Sequence, residues 1–303
     1  MLDRNPYLIR GPAVLGVSGG RTSGKMLWRI VDAHGGRLPD DVHAVFCNTG
    51  REDEATLDFV RDLGERLGVR IVWLERDWDA PGGFVEVGHN SADRAGTPLR
   101  RAIENRRFLP NGVTRFCTVE GKIVPTREYM RSLGYRKWLN VIGLRRDEPK
   151  RVKKKLRQNA AGTEPYINVM PLHEANVGKD DVRRFWSGKP FDLRLPDDED
   201  AFGNCDGCHL KPRVKLLIVL LRDIDALDWW IEMEAWATDV TRKASGARFR
   251  KDGPTYAELK AYVLNYPEAA RAEVARFKEA ERVGRATGSL FEHGESIDCA
   301  CTD

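Results

Sequence analysis

No segment of this chain is apolar for long enough to cross a bilayer. The longest such run, Leu216 to Leu221, falls far short of the ~20 residues a spanning helix needs. Met1 to Arg10 has no apolar core of the kind a secretion signal requires, so a cytoplasmic protein with no membrane partner is expected. Internal repeats and low-complexity linkers are missing too. Cysteine is sparse, at six residues: Cys47, Cys117, Cys205, Cys208, Cys299 and Cys301. Without a secretion signal they do not suggest a disulfide framework, and clustered thiols in a reducing compartment point to metal binding or redox chemistry. A large excess of either charge is absent as well. The net charge is +4, with 41% hydrophobic and 32% charged residues in 303, which is the balance of a soluble globular protein.

Two common nucleotide fingerprints are also missing. The first glycine-rich stretch, Val14-Leu15-Gly16-Val17-Ser18-Gly19-Gly20-Arg21-Thr22-Ser23-Gly24-Lys25, contains neither Gly-x-Gly-x-x-Gly nor Gly-x-x-x-x-Gly-Lys-Ser/Thr. What it does contain is a short apolar run, two glycines, hydroxyls, and a helical pattern from Met26. A strand that bends through glycine into a helix N-terminus can cradle an anion on backbone N–H groups, with the helix dipole behind them. An ordinary strand-to-helix turn has the same outline, so the stretch does not decide the matter alone.

Strands are predicted at Val14–Val17, Val42–Cys47 and Val69–Leu74, separated by helices at Met26–Ala33 and Glu52–Leu67. This β-α-β-α-β order argues for a parallel sheet covered on both faces. Ligands of such sheets lie at the carboxyl ends of the strands, which places Ser18–Ser23 and Cys47–Gly50 at one crevice. Residues 76–114 read as an irregular excursion with one helix near Leu99–Arg107. A helix at Lys122–Leu133, strands at Trp138–Ile142 and Tyr166–Met170, and a helix at Lys179–Trp186 follow. From about Gly188 a loop carrying Cys205-x-x-Cys208 gives way to helices at Val214–Leu221, Ala226–Ala237, Tyr256–Leu264 and Glu268–Glu281, in which Trp229, Trp230 and Trp236 read as packing residues. The expected architecture is α/β, an open parallel five-stranded sheet with a C-terminal helical region, divided as residues 1–187 and 188–303.

Three further stretches carry chemistry. Arg115-Phe116-Cys117-Thr118, with Lys122 beyond, sets a thiol and two cations near a helix N-terminus, where anions bind and thiol pKa values fall; a buried structural cysteine is the plainer reading. Gly143-Leu144-Arg145-Arg146-Asp147-Glu148, followed by Arg151, joins a glycine that permits close backbone approach to arginines able to grip phosphate or sulfate. It opens a basic block (Arg145, Arg146, Lys150, Arg151, Lys153, Lys154, Lys155, Arg157) suited to a polyanion, although Lys153–Arg157 is equally readable as a mobile solvated loop. Cys205 and Cys208 can share one metal ion or cluster, with partners drawn from Cys117, Cys299 and Cys301. Either Cys117, Cys205 and Cys208 hold a [4Fe–4S] cluster with one iron left open or taken by a tail cysteine, or Cys205, Cys208, Cys299 and Cys301 close a structural site such as zinc, or the pair is a redox dithiol.

Ser18-Gly19-Gly20-Arg21-Thr22-Ser23 resembles the PP-loop of the N-type ATP pyrophosphatases, in the Arg-Thr form of the phosphoadenosine phosphosulfate (PAPS) reductase branch. Asn48-Thr49-Gly50, Arg115-Phe116-Cys117-Thr118 with Lys122, Gly143 to Glu148, and Cys205-x-x-Cys208 resemble further elements of that family in the same order, over roughly residues 12–211. The resemblance implies an adenine nucleotide α-hydrolase-like fold and an adenine nucleotide ligand (ATP, adenylyl sulfate or PAPS, with Mg2+ as an accompanying ion). Ser18, Gly19, Gly20, Arg21, Thr22, Ser23, Gly143 and Arg151 would bind it. Cys117, Lys122 and Arg145 become the candidate catalytic residues, and Cys117, Cys205 and Cys208 the ligands of a [4Fe–4S] cluster. Two departures stand out: Arg-Thr replaces the x-Asp usual in adenylating members, and no Glu-Cys-Gly-type C-terminal nucleophile motif is found. Sulfur chemistry by PAPS-type reduction or sulfur transfer is therefore expected, with sulfuration of tRNA or DNA, or a non-catalytic nucleotide-binding module with zinc, as alternatives. Partners would be the nucleotide, a nucleic acid or a redox or sulfur-donor protein, and a second copy in a homodimer.

Overall fold

The computed structural model describes residues 5–196, 199–242 and 246–287. Strands β1 (Ala13–Gly16), β2 (Val42–Asn48), β3 (Ile71–Arg76), β4 (Phe84–Val87), β5 (Trp138–Val141) and β6 (Tyr166–Val169) form one sheet in the order β4-β3-β2-β1-β5-β6. The five expected strands are present and mutually parallel. The sixth, β4, runs antiparallel to β3 along the edge, inside the stretch read as irregular. Its signal is faint for a physical reason. An edge strand buries little, and here Phe84 and Val87 are half-buried while Val85 and Glu86 are exposed.

Alternate residues of the central strands serve different layers. Ala13, Leu15, Ala44 and Phe46 pack under α1 (Arg21–Ala33) and α2 (Glu54–Leu67), where Met26, Leu27, Phe59 and Leu63 are almost fully enclosed. Val14, Val45, Cys47 and Leu74 point to the other face and meet Tyr129 and Met130. Those two belong to α4, which begins as Phe116–Thr118, widens into a π turn at Val119–Ile123 and continues as Val124–Ser132. The π turn has a sequence cause. Pro125 has no N–H for the carbonyl four residues back and its ring crowds that carbonyl, so the regular ladder breaks there.

From Lys150 onward the basic block is a helix, α5 (Pro149–Ala161), so that Lys153–Arg157 is helical rather than a loop, while Arg145 and Arg146 precede it. It buries Val152 and packs on β6. Its Asn159 also closes the open edge of the sheet, donating to the Asn168 carbonyl at 2.9 Å and accepting from the Asn168 N–H at 2.8 Å. A side chain thus takes the place of a seventh strand.

Helix α6 (Lys179–Ser187) returns to the first face and buries Trp186 against α1 and α2. Beyond it, α7 (Arg213–Arg222), α8 (Asp228–Thr241), α9 (Tyr256–Asn265) and α10 (Pro267–Thr287) share a core of Leu216, Leu217, Trp230, Met233, Phe249 and Tyr256. Trp229 and Trp230 are packing residues, as the periodicity indicates. Residues from much earlier complete that core: Leu99, Ala102 and Ile103 of α3 (Thr97–Arg106), and Phe116 at the start of α4. The helical layer is therefore built by two distant stretches of chain, and Cys117 stands at their junction. Among the described residues no helix is long and apolar enough to cross a membrane.

The bend after β1 is constrained at Gly19, whose φ is +76° and whose missing side chain leaves room for the Thr56 methyl group of α2. Gly19→Ala is expected to lower the unfolding free energy by about 1–2 kcal/mol for the left-handed backbone and by about 1–3 kcal/mol for the overlap. Chemical denaturation of Gly19→Ala and of Gly19→Ala/Thr56→Ser checks this. The double variant should recover only the overlap component, and an unchanged midpoint in Gly19→Ala would refute the account.

Candidate functional site

The glycine loop is braced from within. Ser23 is fully buried, and its Oγ accepts from the Ser18 N–H at 3.1 Å, meets Ser18 Oγ at 3.0 Å and donates to the Gly20 carbonyl at 3.0 Å. Helix α1 then starts with Gly20 as its cap, with no side chain capping it and no acidic residue in its first turn. A helix start of that kind suits an anion. Gly143 follows β5, and a Cβ there would lie 3.4 Å from Ser23 Cα, so the second glycine segment rests directly on the loop. Arg145 reaches across to donate to Thr22 Oγ1 at 3.1 Å. The buried Glu148 holds this segment, accepting from the Arg145 N–H at 2.9 Å and pairing with Arg151. Arg21 is engaged elsewhere: it grips Asp192 through two hydrogen bonds of 2.7 Å and donates to the Leu193 carbonyl, tying residues 192–193 to α1. Lys25 also turns away, donating to the Asp181 carbonyl of α6 at 2.8 Å.

Beside the loop opens a cleft of about 660 Å3, mouth included, lined by Ser18, Cys47, Lys122, Thr126, Asn140 and Tyr166 among others. It lies where the chain order reverses between β1 and β5, the place at which open α/β sheets bind ligands. Cys47 forms part of its floor. The thiol donates to the Lys122 carbonyl at 3.6 Å and meets Thr126 Oγ1 at 3.3 Å, and burial pushes its pKa up to about 11. It therefore helps to satisfy a carbonyl of the π turn and is no ready nucleophile.

The Cys205–Cys208 loop is anchored to the end of β2. Cys205 forms a backbone bridge with Glu52, and its sulfur lies 3.5 Å from Thr49 Oγ1. Within the loop Asp206 pairs with Arg51 and accepts from the Trp230 indole N–H at 2.7 Å. The buried Lys211 ammonium donates to the Ala201 and Asp206 carbonyls at 2.6 and 2.9 Å, and the Tyr256 hydroxyl donates to the Gly207 carbonyl at 2.6 Å. Cys117, Cys205 and Cys208 come together on a cavity of about 340 Å3, its open mouth included, whose wall also includes Arg115, Thr118 and His209. No described cysteine is in a disulfide. Burial raises the pKa of all three thiols, most strongly at Cys205, where Glu52 adds to it; metal binding there must displace protons.

The donor set fits an iron–sulfur cluster. Arg115 Nε and Nη2, Thr118 Oγ1 and His209 Nε2 are buried without hydrogen-bond partners, and the inorganic sulfides of a cluster would accept from the first three. Among the described residues the ligand atoms that lie within 4.8 Å of one another are those of Glu54, Asp58 and His89; that group is neutralised by Arg61 and Arg94. The three sulfurs are spread more widely. Cys299 and Cys301, the other cysteines considered for a metal site, lie outside the described residues.

Lys122 connects the cleft to the thiols. It lines the cleft, is mostly buried on the π turn, and stands 3.8 Å from Glu52. Burial pulls its pKa down, but the Glu52 carboxylate and then the nearby cysteines outweigh that and leave it raised, so the ammonium stays charged. Glu52, read from sequence only as the start of a helix, proves to be a hub. Its carboxylate accepts from the Thr49 N–H and hydroxyl at 2.9 Å. Asp206 and His209 were also missed. The one signal for His209 is its position directly after Cys208. Burial, with Arg115 next, lowers its pKa to about 4.

Residues 13–189 match the family model described as the phosphoadenosine phosphosulfate reductase domain. The chain is 30% identical over 210 residues to the nin region protein ORF290 of Escherichia phage lambda, covering 67% of each. Among solved structures it is similar to the U34-tRNA thiolase NcsA from Methanococcus maripaludis, a structure with a [4Fe–4S] cluster, at 14% identity and a TM-score of 0.40 over 76% of this chain and 71% of that one. With more than half of its length matched by the family model, this chain belongs to the phosphoadenosine phosphosulfate reductase domain family.

Proposed function

We propose that this protein binds an adenine nucleotide in the cleft beside Ser18–Ser23 and performs sulfur chemistry at a [4Fe–4S] cluster held by Cys117, Cys205 and Cys208. The observation that carries the reading is the position of Lys122, which faces the nucleotide cleft while its charge acts on Cys205, Cys47 and Cys117. Bound there, the cluster would supply iron able to take up a sulfur atom. The chain's own residues do the rest. The glycine loop and the first turn of α1 receive phosphate oxygens, and Arg145, steadied by Glu148, adds a positive charge beside Thr22. Lys122 holds a fixed ammonium where negative charge must pass between nucleotide and thiol cavity, and preorganised charge of that kind lowers a barrier without reorganisation.

Cys117, Cys205 and Cys208 form no group with all sulfurs within 4.8 Å, whereas tetrahedral zinc with Zn–S bonds near 2.3 Å requires sulfur atoms about 3.8 Å apart, so at these three thiols a cluster is favoured over a single ion. A second feature favours a nucleic-acid acceptor over a small molecule. Helix α5 exposes Lys153, Lys154 and Arg157 to solvent, along the flank of the sheet whose carboxyl edge carries the cleft.

Protein purified without oxygen is expected to carry about four iron and four sulfide per chain, and Cys117→Ala, Cys205→Ala or Cys208→Ala should abolish that content. Colourless, iron-free wild type would remove the proposal's centre. Lys122→Ala is expected to leave nucleotide-dependent thermal stabilisation in place while turnover falls about 10²–10³-fold; loss of binding with unchanged kcat would contradict the assigned role. For the nucleic-acid acceptor, three phosphate contacts from α5 predict a log K against log salt slope of about −2 to −3. Replacing Lys153, Lys154 and Arg157 with Gln should flatten it, and salt-independent binding would exclude this surface.

A further inference from the structure

The thiol cavity contains one more group with an unshared electron pair. His209 is only 8% exposed, lines the same wall as the three cysteines, and runs nearly parallel to the Phe249 ring, with ring centres 6.4 Å apart. Nε2 has no hydrogen-bond partner, and as the unprotonated nitrogen of a neutral imidazole it offers a lone pair, the form in which histidine binds metals. The other orphaned atoms of the wall behave differently: Arg115 can only donate, and the Thr118 hydroxyl is satisfied by donating.

We propose that His209 is the fourth protein ligand of the metal cluster, coordinating iron through Nε2. The assignment rests on the cluster reading above and adds the residue that this reading leaves open. His34, His43 and His173 also keep a buried ring nitrogen unpaired; His209 is set apart by facing the cavity that Cys117, Cys205 and Cys208 line. Electrostatics favours imidazole over a fourth thiolate here. Leu99, Leu210 and Trp230 make much of the wall apolar, and a neutral ligand leaves the buried centre with one negative charge fewer.

The test uses the full chain, reconstituted with iron and sulfide under nitrogen and reduced, with iron and sulfide analysis beside pulsed EPR on natural-abundance and 15N-histidine-labelled protein. The wild type should contain the cluster and show hyperfine coupling from a directly bound histidine nitrogen. His209→Ala should lose the coupling. His209→Cys should keep four irons, lose the coupling and shift the reduction potential downward, because thiolate stabilises the oxidised cluster more than imidazole does. A wild-type cluster with no strong histidine coupling, or a coupling that survives in His209→Ala, overturns the assignment while leaving the three-cysteine cluster intact. Wild type that takes up no iron overturns the cluster reading and this assignment with it. The wild-type spectrum alone decides the matter if the variants do not fold.

Discussion

One buried carboxylate holds the two halves of the site together. Glu52 binds the Thr49 hydroxyl and N–H at the carboxyl end of β2, bridges to the backbone of Cys205, and balances the ammonium of Lys122. Such a pair adds little to stability as a whole, because desolvation cancels most of the attraction, but removing one partner strands the other's charge at a cost of about 3–5 kcal/mol. Its effect is positional. The end of a sheet strand, the π turn of α4 and the cysteine loop all meet at Glu52, the first two through its carboxylate and the third through its backbone.

Around that link the fold divides its labour. The parallel sheet supplies a rigid edge on which the glycine loop and Gly143 press together, and the helical layer supplies the wall that carries the thiols. Helix α4 belongs to both. Phe116 is packed in the helical core and Met130 under the sheet, and the π turn between them puts Cys117 and Lys122 on opposite sides of the same junction. A regular helix would change the angle between those two side chains, so the irregularity induced near Pro125 is part of the site's geometry.

The sequence is most readable where local rules act alone. Apolar strands ending in glycine and the Ser18–Ser23 loop are visible because backbone conformation dictates those residue types. Order along the chain does the same for the five-element family pattern. Strand β4 escapes because an edge with a single neighbour needs little apolar patterning. Helix α5 escapes because its exposed face is so basic that charge hides the buried Val152. Arg21 looks like a phosphate ligand by position, yet its partner Asp192 lies 171 residues away. Glu52 and His209 take their meaning from contacts with distant parts of the chain, and nothing in their immediate neighbours announces them.

The distance along the chain between Cys117 and Cys205, nearly ninety residues, has a consequence for biogenesis. A ribosome delivers the sheet and the nucleotide loop first, and the enclosing thiols meet only after the last helices emerge and pack on Leu99 and Phe116. Closing so long a loop costs entropy that a metal centre spanning its ends could help to offset. Under the proposed cluster reading, assembly of the inorganic group would be coupled to completion of the polypeptide, and a prematurely ended chain would keep the glycine loop without Cys205 and Cys208.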